Sequence, residues 1–159
     1  MNSTANLRRI QNEVKRISTK ASEYEKLFKI SMVGDDMFHW SVEIYGPVDS
    51  LYENYIFSLD MRLPANYPSS APKVTFITPI QHININKEGD ICLNILKDEW
   101  KPSQCINTVL ISIIELLGSP NVDDPFNSDL AALYRTNNKK YITTIKKHCD
   151  KHCKKINLE

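Results

Sequence analysis

The chain has 159 residues, of which 42% are hydrophobic and 25% charged, with a formal net charge of +1. That length makes one ordinary domain, residues 1–159, with a single sizeable core, and the composition excludes a disordered or fibrous chain. No apolar run approaches the roughly 20 residues that span a bilayer, and the polar start MNSTANLRR lacks the apolar core of a signal peptide, so the expectation is no membrane partner and a cytoplasmic or nuclear location.

Leu7, Ile10, Val14 and Ile17 recur at spacings of three and four, which predicts an amphipathic helix of about four turns. Ser3 or Thr4 can accept the free amide hydrogens of its first turn, and Arg8, Arg9, Lys15 and Arg16 are expected to point largely outward. Over residues 24–76 the apolar period becomes two. Phe38, Trp40, Val42 and Ile44 alternate with polar residues, as do Tyr55, Phe57, Leu59, Met61 and Leu63. Gly34-Asp35-Asp36 and Gly46-Pro47-Val48-Asp49-Ser50 mark turns, and 73–77 supplies a fourth short strand. Connections this short predict an antiparallel meander of four strands. Three prolines, Pro64, Pro68 and Pro72, make a stiff connection before the fourth strand, and aromatic Tyr67 before Pro68 favours a cis bond there.

The stretch 81–102 is too broken by Asn, Gly, Asp and Pro to read as a helix or strand, yet its Ile and Leu residues demand burial. A polar loop pinned by apolar anchors is a way to hold a reactive group still, and Cys92 lies within it. Beyond it, Ile106, Val109, Leu110, Ile113 and Leu117 trace a helix that ends at Gly118 and Pro120. With Ile111, Ile114 and Leu116 also apolar, it is expected to pack centrally on the sheet. Asn121-Val-Asp123-Asp124-Pro125-Phe126 is a polar turn, after which Asn127 or Ser128 caps a short helix through Leu130, Leu133 and Tyr134. A last, Lys-rich helix begins near Asn138, with Tyr141, Ile142 and Ile145 on its inner face.

Residues 1–20 hold five Lys or Arg against one acid and residues 139–155 seven Lys against one, but no aromatics interleave and no nucleic-acid motif is present. The basic ends therefore read as solvated helix faces, with no nucleic-acid partner. The four cysteines at 92, 105, 149 and 153 show no paired framework and suit a reducing compartment. His148-Cys149 and His152-Cys153 carry metal-binding residue types, but zinc pairs come from separate loops and the end of an amphipathic helix explains them as well, so no metal is expected.

Within 81–102, His82-x-Asn84, then Gly89-x-Ile91-Cys92-Leu93, then Trp100-x-Pro102, resembles the active-site signature of ubiquitin-conjugating enzymes. Asp36-Met-Phe-His-Trp40, Gly46-Pro47 and the proline-rich loop are similar to that family too, so the resemblance spans nearly the whole chain. It implies an α+β, Ubc-like fold: an N-terminal helix, a four-stranded antiparallel meander, the active-site loop segment, a central helix and two C-terminal helices. In the family the first helix docks the activating enzyme through basic residues, although a merely soluble surface accounts for these charges equally well.

The chemistry of the segment agrees. One exposed thiol can carry an acyl group as a thioester, which is reactive enough to be passed on, whereas cysteine proteases need a histidine base beside the thiol and recognisable local motifs that are missing here. By resemblance, Cys92 carries the thioester. Asn84 donates a hydrogen bond to the tetrahedral oxyanion or braces the loop, while from the residues alone it is equally a turn former. Asp124 assists the incoming lysine, although an acid before a helix also suits the helix dipole. Tyr134, Asn121 and Asn94 match positions lining the same groove. Trp100 reads as a packing anchor, with Pro102 and Ser103 on a partner-facing loop.

The family's His-Pro-Asn reads His82-Ile83-Asn84 here, a departure expected to cost about 0.4–1 kcal/mol of preorganisation. Ser69 stands where broadly acting members often carry Phe. The resemblance implies ubiquitin, its activating enzyme, ubiquitin ligases and protein substrates as partners, and no tightly bound cofactor, ATP being consumed by the activating enzyme. The alternatives are a ubiquitin-like modifier of the neddylation type, to which Cys92-Leu-Asn-Ile-Leu with Trp100-Lys-Pro102 is similar, and a non-catalytic binding variant, which normally lacks the cysteine. The neddylation enzyme has an extra N-terminal docking segment, whereas the first helix is expected to begin almost at once here.

Overall fold

The computed structural model describes residues 4–157. Helix α1, Thr4–Thr19, buries Ile10 and Ile17, with Leu7 and Val14 half-buried. Thr4 is its first residue, and the other expected cap, Ser3, lies outside the described residues. Arg9 does not face outward as expected, and Glu13 is the reason. Glu13 sits on the apolar stripe and is only 3% exposed. A carboxylate taken out of water needs partners for its charge and lone pairs. They are the Tyr67 hydroxyl at 2.5 Å, the Ile106 amide at 2.8 Å and the Arg9 Nε at 3.1 Å. Arg9 then spends its remaining nitrogens on the carbonyls of Pro102 at 2.8 Å and Gln104 at 2.6 Å, tying α1 to that loop.

After the single turn α2, Ala21–Tyr24, come β1 (Phe28–Val33), β2 (Asp36–Tyr45), β3 (Tyr55–Arg62) and β4 (Lys73–Phe76), hydrogen-bonded antiparallel in that order. The register pairs Val42 with Leu59, Ile44 with Phe57 and Met61 with Val74, so the period-two residues fall together on the buried face. A two-residue strand β5, Lys154–Lys155, adds to the expected meander by pairing with Tyr55 and Ile56. Two lysines carry no strand pattern, so nothing in their sequence signals it. The Tyr67–Pro68 bond is cis, and Trp100 donates from Nε1 to the Pro68 carbonyl at 2.8 Å, with its ring 5.9 Å from that of Tyr67.

Helix α3, Ile106–Gly118, buries seven apolar side chains. Each fully buried Ile or Leu stabilises by about 1.5–3 kcal/mol, so packing holds this helix in place. Cys105, the residue before the helix, supplies no side-chain cap, and the Glu13 carboxylate takes the Ile106 amide instead. Helix α4, Ser128–Thr136, is capped by Asn127, whose side chain accepts from the Leu130 amide at 3.1 Å. Helix α5, Asn138–His152, is capped by Asn137 and buries Tyr141, Ile145 and Cys149. Cys149 thus belongs to the core, while the His148 and His152 rings lie 4.6 Å apart, tilted by 40°. Among the described residues no helix is long and apolar enough to cross a membrane.

Candidate active site

The loop that carries Cys92 is fastened at each end. Thr75 bridges to Asp90 and Ile85 to Ile91, and Asn86 closes the turn between them by accepting from the amides of Glu88 and Asp90. Gly89 has φ +90°, and a Cβ there would sit 2.2 Å from the Phe76 carbonyl oxygen, so only glycine lets the loop lie this close to β4. Ile83, Ile85 and Ile91 are buried as the anchors. The Cys92 amide then donates to the Asn84 carbonyl at 2.8 Å, which sets the cysteine directly beside Asn84.

His82 and Asn84 form a buried polar brace. His82 is fully buried, its Nδ1 accepts from the Asn84 amide at 2.9 Å, and its Nε2 lies 2.9 Å from the Leu116 carbonyl near the end of α3. An acceptor Nδ1 assigns the proton to Nε2, which donates to Leu116. Burial lowers the imidazole to about 4, outweighing the hydrogen bond to Leu116 that favours its charged form, so the ring is neutral. The Asn84 side chain, 1% exposed as a residue, donates from Nδ2 to the carbonyls of Asn121 at 2.8 Å and Asp124 at 3.1 Å, and its Oδ1 accepts from the Asn121 amide at 2.8 Å. Two further bonds, from the Phe126 and Asn127 amides to the Ile83 carbonyl, complete the stitching of the 121–127 turn to the cysteine loop.

This stitching places the Asp124 Oδ2 3.3 Å from the Cys92 sulfur. The thiol is half-buried and opens into a groove of about 810 Å3 that runs past Asn94, the Ser112 and Glu115 side of α3, Asn121 and Asp124. Burial pushes the thiol above its ordinary value and the hydrogen bond to Asp124 adds to that, while Lys97, with its Nζ 3.9 Å from the sulfur, pulls the other way. His82 has both ring nitrogens engaged elsewhere, so the sulfur has no histidine base of the protease kind. A nucleophile without such a base suits an already activated acyl group better than an amide.

A family model described as "Ubiquitin-conjugating enzyme" matches residues 9–149. The chain belongs to the ubiquitin-conjugating enzyme family. It is 52% identical over 155 residues, 97% of this chain and 98% of the relative, to "Probable ubiquitin-conjugating enzyme E2 L460" of Acanthamoeba polyphaga mimivirus. Membership of this family of transferases brings ubiquitin, an activating enzyme and ligases as partners in general.

Of the residues singled out in the sequence, the ubiquitin-conjugating fold brings Cys92, Asn84 and Asp124 into one constellation, with Asn94 and Asn121 along the groove. Tyr134 is not among the residues around that groove, and its ring, 40% exposed, packs edge-on against Tyr141 at 5.2 Å. Ile83, in the place of the family's proline, is 0% exposed within the core, in line with the burial expected of the segment's Ile and Leu residues. Lys97 and Phe126 escaped sequence reasoning, since Lys97-Asp98-Glu99 reads as a solvated run and Phe126 as a turn hydrophobe. Among the described residues no three His, Cys, Asp or Glu are grouped to hold a metal ion.

Proposed function

We propose that this chain accepts ubiquitin from the activating enzyme as a thioester on Cys92. It then passes the ubiquitin to a lysine of a substrate or of ubiquitin with a ligase, or to a ligase cysteine. The observation that carries the reading is the half-buried Cys92 thiol at the head of an open groove, beside a carboxylate and no histidine. In the first step the Cys92 sulfur displaces the activating enzyme's cysteine from the ubiquitin carboxyl carbon; in the second an amine displaces Cys92. A lysine ammonium must shed a proton to attack, and the Asp124 carboxylate, on the wall of the groove, is placed to orient it and take that proton. Asn84 holds Asp124 at that station through its backbone carbonyl. ATP is spent by the activating enzyme, and the conjugating chain needs no bound cofactor for either exchange. A reducing compartment, the cytoplasm or nucleus, keeps its cysteines as free thiols.

The name of the mimivirus relative favours ubiquitin over a modifier of the neddylation type. The test is to incubate the protein with activating enzyme, ATP and each modifier in turn, and to resolve the products on gels with and without reducing agent. A ubiquitin adduct that vanishes on reduction is expected. Charging by a different modifier alone, or by none, overturns the reading.

A further inference from the structure

Two charged side chains flank the Cys92 sulfur, and so far only Asp124 has a task. Lys97 follows the 3-10 turn Asn94–Leu96, and its Nζ lies 3.9 Å from Sγ. The same ammonium stands 5.4 Å from the centre of the Phe126 ring. Phe126 is 42% exposed, an aromatic face that the core does not use. Its backbone is nevertheless fixed, with its amide donating to the Ile83 carbonyl at 2.8 Å in the stitching that also positions Asp124. A cation is attracted to a ring face by the ring quadrupole, so Phe126 gives the lysine a seat beside the sulfur.

The charges around the sulfur come from three directions. Asp124 approaches at 3.3 Å from the 121–127 turn, Lys97 approaches from beyond the 3-10 turn, and Asp98, Glu99, Lys101 and Glu115 line the groove further out. Beneath the sulfur, the Asn84 and His82 side chains are uncharged. Carboxylates oppose negative charge on sulfur and a nearby ammonium favours it. Among the described residues, Lys97 is the cation in contact with the sulfur.

We propose that Lys97, seated on Phe126, is a catalytic residue for the charging step, favouring negative charge on the Cys92 sulfur as Asp124 serves the amine during discharge. The assignment rests on Cys92 being the acyl-accepting thiol. In charging, the deprotonated Cys92 sulfur forms a bond to the carbonyl carbon of the incoming thioester. The bond from that carbon to the donor sulfur breaks, and the donor leaves with the electron pair and takes up one proton, matching the one Cys92 released. No oxidant or nucleotide enters this exchange. Once acylated, the Cys92 sulfur no longer carries charge, and the pull of the ammonium on it is relaxed.

The test is the pH dependence of Cys92 alkylation by iodoacetamide in the uncharged, full-length protein, with the Cys92 adduct followed by peptide mass spectrometry to separate it from the other thiols. The natural protein is compared with Lys97→Gln, Lys97→Arg and Phe126→Leu. A unit charge pair about 4 Å apart in a water-like medium is a factor of about five, so Lys97→Gln moves the midpoint of the profile up by about 0.7 pH unit. Lys97→Arg keeps the natural midpoint, Phe126→Leu moves it part of the way, and 1 M salt collapses the differences. A loss of folding would be neither rescued by arginine nor erased by salt. Coincident midpoints for Lys97→Gln and the natural protein, or failure of arginine to restore the midpoint, overturn the role of Lys97. A natural midpoint in Phe126→Leu overturns the seat on the ring. Alkylation needs neither ubiquitin nor its activating enzyme, so these results stand apart from a failure to form the thioester.

Discussion

Removing the Asn84 side chain separates its two readings, as direct donor to the oxyanion and as brace for Asp124. Both Nδ2 hydrogens are committed, to Asn121 and Asp124, and Oδ1 holds the Asn121 amide. Asn84→Ala therefore loses three hydrogen bonds. Each is worth about 0.5–1.5 kcal/mol net, but Asn121 and Asp124 are exposed and water can replace part of the loss. A stability cost of about 1–3 kcal/mol follows, which leaves the protein folded at room temperature. For discharge, a misplacement of about 1 Å at Asp124 is enough to slow aminolysis about 100-fold. If Asn84 acts through Asp124, the two substitutions share one loss. Asn84→Ala, Asp124→Ala and the double variant should each charge almost normally, and the double should discharge onto free lysine no more slowly than the slower single. The assay is single-turnover discharge of purified charged enzyme. Penalties that multiply in the double variant would refute the brace and make Asn84 an independent donor; equal loss of charging would mean damage to the fold.

At Ile83, the expected stabilisation by proline meets a buried side chain. The entropic gain of about 0.4–1 kcal/mol is offset by about 1 kcal/mol of lost packing, so Ile83→Pro should be neutral or slightly destabilising, and Ile83→Ala should cost about 2–4 kcal/mol in urea melts. A clear gain in Tm for Ile83→Pro would show that the ring fits the site better than isoleucine. His82 takes up its proton at about 4 when folded, below the ordinary 6.5, so the unfolded chain binds the proton first as pH falls. Its contribution is whole above pH 6.5 and fades between 6.5 and about 4 by about 3 kcal/mol in total. The difference between natural and His82→Gln stability curves across that window should show this slope, and parallel curves would contradict it. Ser69 is exposed immediately after the cis proline and offers no aromatic anchor. Ser69→Phe should raise transfer to a thioester-forming ligase, by up to about 30-fold if the ring buries about 2 kcal/mol of contact, and efficient transfer by the natural protein would remove the premise.

The elements that were legible in the sequence are those governed by period and punctuation. Alternation in 38–44 and 55–63 marked the two long strands, and the stripe from Ile106 to Leu117 marked the central helix, because burial on one face imposes period two or 3.6 directly on composition. The cap of the short helix was readable as Asn127 or Ser128, because both types accept from first-turn amides, and folding selects Asn127. Glu13 was not legible, since its partners lie 54 and 93 residues away, and a buried carboxylate looks like a surface one until Tyr67 and Ile106 are in place. The same holds for Lys97: its meaning depends on a sulfur and a ring that only the folded turn brings together. At the site, the broken, apolar-anchored segment drew attention to Cys92 and the resemblance to the family pointed to Asn84 and Asp124, but the side-chain bonds from Asn84 to the 121–124 turn depend on folding, as does the double engagement of His82.

The central claim is that one sulfur, Cys92, carries the acyl group. Natural protein, Cys92→Ser and Cys92→Ala are each incubated with activating enzyme, ATP and ubiquitin and weighed intact by mass spectrometry before and after reducing agent. The natural protein should gain one ubiquitin that reduction removes, Cys92→Ser should gain one that survives reduction because an oxyester replaces the thioester, and Cys92→Ala should gain none. A reducible adduct on Cys92→Ala, carried by Cys105, Cys149 or Cys153, would contradict the account.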